Sequence, residues 1–85
     1  MNAFRKLKNK IDMATLNYNS ILDNITEGYP VTLTRTNGVV CTVSMERVNG
    51  EEIYKATVAG ITLCKNDYDS LFATLSNYKY KAIKY

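Results

Sequence analysis

The sequence has no histidine and no tryptophan, and only one proline, two cysteines and four glycines among its 85 residues. Without histidine there is no imidazole acid–base pair, no histidine metal ligand and no histidine switch near neutral pH. No stretch reaches the roughly 18–20 apolar residues of a membrane-spanning helix. The basic start, Met1 to Lys8, is not followed by an apolar run of signal-peptide length. The expectation is therefore a soluble, cytoplasmic protein, in the host cytoplasm if a phage encodes it. Cys41 and Cys64 lie 23 positions apart with no CxxC spacing, a poor zinc or redox signature. They read as two unpaired thiols used as small apolar groups. No metal and no cofactor is expected.

The chain is 46% hydrophobic and 22% charged, a composition of globular rather than disordered sequence. Its length allows one domain, residues 1–85, with one modest core. The net charge of +3 is unevenly placed. Residues 1–10 carry Arg5, Lys6, Lys8 and Lys10 without an acid, and residues 77–85 carry Lys79, Lys81 and Lys84. Between them, four basic residues face all eight acids. Lys, Asn, Ile and Tyr supply 30 of the 85 residues, a bias that AT-rich coding sequence produces. That flavour suits a small accessory protein of a phage or mobile element.

Phe4, Leu7, Ile11, Ala14, Tyr18, Ile21 and Ile25 follow a 3-4-3-4 spacing, which predicts one amphipathic helix over about 3–26. Gly28 stops it, and Tyr29-Pro30 prevents its resumption. Asn37-Gly38 and Asn49-Gly50 mark an antiparallel meander with strands over about 30–35, 39–48, 51–58 and 61–64. A three-residue Thr36-Asn37-Gly38 loop sets Val31 and Leu33 beside Val43 and Cys41, giving one apolar face. A two-residue Asn49-Gly50 turn sets Met45, Val43 and Cys41 beside Tyr54, Ala56 and Val58. Ile61 and Leu63 then face inward and Cys64 outward. Asn66 is expected to cap a second helix over about 67–77, with Asp67 and Asp69 in its first turn. In the tail, Leu75, Tyr78, Ala82 and Tyr85 keep a helical stripe while Tyr78, Tyr80 and Ala82 alternate as in a strand, so residues 78–85 remain open. The expected fold is α+β, with a long and a shorter helix in a single layer over one face of a four-stranded antiparallel meander.

Catalysis finds little to work with. The serines have no histidine to activate them, no glycine-rich phosphate loop is present, and Cys64 has only Lys65 beside it. The chain reads as a non-enzyme.

Two binding chemistries remain. Met13 and Leu16 lie nearly opposite the core stripe, so they are expected to face outward as protein-contact candidates. Arg5, Lys6, Lys8 and Lys10, together with Tyr78, Lys79, Tyr80, Lys81, Lys84 and Tyr85, are the candidates for contact with nucleic acid or another anion. Bases stack on tyrosine rings while lysines neutralise phosphates. The functional expectation is a small accessory protein that binds and inhibits or modulates a macromolecular partner. A protein target or acidic surface comes first, with RNA or single-stranded DNA as the alternative and no membrane span. Self-association through a strand edge or the helix back is a further expectation.

Overall fold

The computed structural model describes residues 16–85. Its elements are α1 (Tyr18–Thr26), β1 (Val31–Arg35), β2 (Val40–Val48), β3 (Glu51–Val58), β4 (Ile61–Lys65), α2 (Tyr68–Leu75) and β5 (Tyr80–Lys84). The five strands form one antiparallel sheet in the order β4-β3-β2-β1-β5, and both helices pack on the same face.

The helix that contributes to the core starts later than the periodicity predicts. Asn17 is extended (φ −111°, ψ 108°) and its side chain accepts a hydrogen bond from the Ser20 N–H, which makes it the N-cap of α1. Asparagine is among the strongest N-cap residues because its short carbonyl satisfies a free first-turn amide. A single helix running unbroken from 3 to 26 is therefore not formed. The expected helix over 3–15, with Phe4, Leu7, Ile11 and Ala14, lies outside the described residues. At the other end the Gly28 N–H bonds the Ile25 carbonyl and the Tyr29 N–H bonds the Asn24 carbonyl. With Gly28 at φ 96°, this is a Schellman stop, and glycine takes that left-handed geometry without strain.

The hairpin registers are those the sequence implies. Val31 and Leu33 pair with Val43 and Cys41, and Met45, Val43 and Cys41 pair with Tyr54, Ala56 and Val58. The next turn, Ala59-Gly60, brings Ile61, Leu63 and Lys65 beside Val58, Ala56 and Tyr54. Asp67, not Asn66, caps α2. Its carboxylate accepts from both the N–H and the hydroxyl of Ser70, holding its pKa below the usual value. Asp67 lies three residues before Ser70, the spacing at which an N-cap side chain meets a free first-turn amide.

A fifth strand replaces the expected four-stranded arrangement. β5 runs antiparallel to β1, with a bulge that places Thr34 opposite Ala82 and Arg35 opposite Tyr80. Lys81 is the extra residue, so Tyr80 and Ile83, three apart, both reach the core side. The bulge turns Ala82 to the face opposite Tyr80, so neither the helical stripe nor the Tyr78-Tyr80-Ala82 alternation describes the tail.

The core joins Ile21 and Ile25 of α1 and Leu71 and Leu75 of α2 to Val31, Leu33, Cys41, Val43, Tyr54, Ala56 and Tyr80 of the sheet. Tyr18 stacks edge-on against Tyr68 and Phe72 with ring centroids 4.7 and 5.1 Å apart. Its hydroxyl donates to Asp69, and the Tyr68 hydroxyl donates to the Tyr18 carbonyl at 2.8 Å. These contacts tie the start of α1 to α2. Among the described residues, no helix lies over the opposite sheet face, which carries Thr32, Thr34, Thr42, Ser44, Lys55 and Thr57.

Candidate functional site: the β4 edge and its groove

The sheet has two edges of opposite character. On β5, Lys81 and Lys84 are exposed beside a bulge, and both devices discourage pairing with another strand. On β4, the sequence Ile61-Thr62-Leu63-Cys64-Lys65 has one charge, at its end, and four of its five residues are exposed. Ile61 and Leu63 point to the helix-bearing side, yet they are 75% and 38% exposed.

The cause is helix length. α2 has eight residues, hence about 12 Å of axis, and after Leu75 the chain leaves for β5 at the far side of the sheet. Among the described residues, none covers the corner at the β3–β4 turn. It forms an open groove of about 310 Å³ with Cys41, Ala56 and Val58 beneath, Ile61 and Leu63 along the outer side, and Leu75 and Tyr78 along the inner one. Burying an exposed Ile or Leu side chain is worth about 1.5–3 kcal/mol, so this corner stores binding energy.

Arg35 closes the inner end of the groove. Its guanidinium carbon lies 3.9 Å from the centroid of the Tyr78 ring, a distance at which the ring face attracts the cation. The described residues form ion pairs between Arg47 and Glu52 (3.0 Å) and between Lys55 and Glu46 (2.6 Å), and none of their carboxylates pairs with Arg35. The Cys41 thiol is buried and its pKa is pushed up by that burial, which keeps it protonated and unreactive. Cys64 is exposed on the opposite sheet face, so the two thiols do not approach each other.

At the other end of the sheet lies a polar depression bordered by Glu51, Glu52 and Asp67. Glu52 accepts from the Tyr54 hydroxyl at 2.6 Å and from Arg47 at 3.0 Å, and these bonds hold its pKa below the usual carboxylate value. Its oxygens are occupied, and among the described residues no three Cys, Asp or Glu side chains are grouped to hold a metal ion. No helix among them is long and apolar enough to cross a membrane.

The candidates read from the sequence separate. Arg5, Lys6, Lys8, Lys10 and Met13 lie outside the described residues. Leu16 does not face away from the body; it is half-buried and packs against the core, because the chain enters α1 through an extended Asn17. Tyr80 is 2% exposed, a core residue that offers no ring face for stacking. Tyr78 and Tyr85 are 45% and 51% exposed, and Lys79, Lys81 and Lys84 are exposed at the β5 side.

Alternation places Ile61 and Leu63 on the face they occupy, but it does not reveal their exposure. The available signal was the shortness of the apolar run in the second helix, which cannot roof a five-stranded sheet. Comparison with known proteins finds no matching family model, no similar curated protein and no similar solved structure.

Proposed function

We propose that the protein is a small non-enzymatic binding module that modulates a partner protein by docking an extended segment of it along β4. The observation that supports this most directly is the 75% exposure of Ile61 in a strand whose outer edge pairs with no described strand. Added strands gain affinity from main-chain hydrogen bonds and specificity from the pockets that take alternate side chains. Here the pocket is the groove beside Ile61 and Leu63, with the Tyr78-stacked Arg35 at its end.

The test is capture by the tagged full chain from nuclease-treated lysate of the producing cell. A stoichiometric protein retained by wild type and by a Lys79/Lys81/Lys84→Ala variant, but lost with Ile61→Lys, is the expected result. Capture indifferent to Ile61→Lys removes the β4 edge from the function.

A second reading rests on Lys79, Lys81, Lys84 and Tyr85, which share the β5 side with exposed side chains. There the partner is single-stranded nucleic acid. Its affinity falls steeply with salt and drops when the three lysines become alanine. Equal RNA affinity in that variant ends this reading.

A further inference from the structure

We infer that the strand which docks on β4 is β4 of a second copy, giving a two-fold dimer with a continuous ten-stranded sheet. This rests on the reading of β4 as a docking edge and names its occupant in the free protein, which a partner's segment must displace to bind.

The first argument is hydrogen-bond phase. Ala59 and Gly60 form a two-residue turn with φ values of 52° and 82°, so Val58 and Ile61 are the closing pair that exchange both backbone bonds. Alternation then turns the N–H and C=O groups of Leu63 and Lys65 toward β3, and those of Thr62 and Cys64 toward the open side. An antiparallel copy must match open groups with open groups. The register that does so while overlapping all five residues places Leu63 on the two-fold axis. Thr62 then exchanges two bonds with Cys64 of the partner subunit, and Cys64 does the same with Thr62 of the partner subunit.

The second argument is side-chain complementarity. In that register Leu63 meets the partner's Leu63 in a non-hydrogen-bonded pair, where side chains come closest. Ile61 lies beside Lys65 of the partner subunit, whose methylene stem covers apolar surface while its ammonium stays in water. The two Lys65 charges sit at opposite ends and do not oppose each other. The partner's Leu63 and Lys65 also extend the outer wall of the groove.

The third argument is closure. Among the described strands the bare edge is on β4, and the β5 edge carries exposed lysines and a bulge. One open and one guarded edge give a pair and not a filament.

Sedimentation of the full chain over a range of concentrations tests this, together with disulfide trapping by diamide in a Cys64→Ser background. Wild type is expected to be a concentration-dependent dimer. Leu63→Lys, which puts two ammonium groups face to face on the axis, is expected to raise the dissociation constant roughly tenfold or more with unchanged circular dichroism. Leu63→Cys is expected to give a covalent dimer, whereas Thr62→Cys, two positions off its own counterpart, is not. A wild type that stays monomeric, a dimer that survives Leu63→Lys, or equal trapping at 62 and 63 overturns the inference. If the monomer still captures a partner that Ile61→Lys abolishes, only self-pairing fails. If its captures ignore Ile61→Lys, the docking reading fails with it.

Discussion

At the scale of single residues, Ala59 is the least comfortable position in the described chain. It holds φ at 52° in a turn whose first place is best filled by asparagine or glycine. The left-handed region costs a residue with a Cβ about 1–2 kcal/mol, and asparagine tolerates it through local hydrogen bonding. Ala59→Asn should therefore raise stability by about 0.5–1 kcal/mol, read as a higher urea midpoint. The turn at Asn49-Gly50 has φ values of 55° and 82° with the favoured pair already in place. The tyrosines set the alkaline limit. Hydrogen bonding to Glu52, with burial second, pushes Tyr54 up to about 12, and burial does the same for Tyr80. A raised folded pKa means that the contribution to stability is complete below the ordinary value of 10 and is lost as pH rises toward 12. Phenolate absorbance and circular dichroism should accordingly change together in that interval. The sign reverses for Glu52 and Asp67, whose pKa values are lowered from 4.5 and 3.8. Their support is complete above those values and fades as pH falls through the lowered ones, so Asp67→Ala should flatten the acid limb of a pH–stability curve.

Among elements, the hairpins were legible in the sequence and the ends of the chain were not. A hairpin is a local object: loop length and face alternation fix its register within about ten residues. That sufficed for β1 through β4. The start of α1 is hidden because an apolar stripe continues across Asn17, while a capping side chain stops a helix whatever the stripe does. β5 was unreadable because its bulge breaks the two-residue period, and because its partner, β1, lies about fifty residues earlier. The binding edge was half legible, since alternation gives a side chain's face but not what covers it. Tyr80 is the pin that holds β5 to the core, so Tyr80→Ala should cost about 3 kcal/mol or more, seen as a lower midpoint in denaturant. A surface stacking residue would show no such loss. That outcome would return Tyr80 to the nucleic-acid candidates.

Over the whole molecule, the charge pattern has a sharper form than two basic ends around an acidic middle. Residues 16–85 hold seven Lys or Arg and seven Asp or Glu, so the entire excess of +3 belongs to residues 1–15. A body with no net charge has weak electrostatic repulsion to keep copies apart, which suits association through a short edge. Salt should therefore change the β4-mediated dimer little, whereas any binding carried by Arg5, Lys6, Lys8 and Lys10 should weaken steeply as salt rises. Sedimentation at two ionic strengths separates these behaviours.

The placement of β5 also sets a hierarchy in time. Every other strand pairing is reached through a loop of two to four residues, whereas β5 must return to β1 across most of the described chain. Loop closure of that length is an entropic cost met before any contact repays it. The meander should consolidate first, with β5 arriving last and opening first. In native-state amide exchange, the central β2 and β3 amides should report global unfolding, and the β5–β1 amides a smaller, earlier opening.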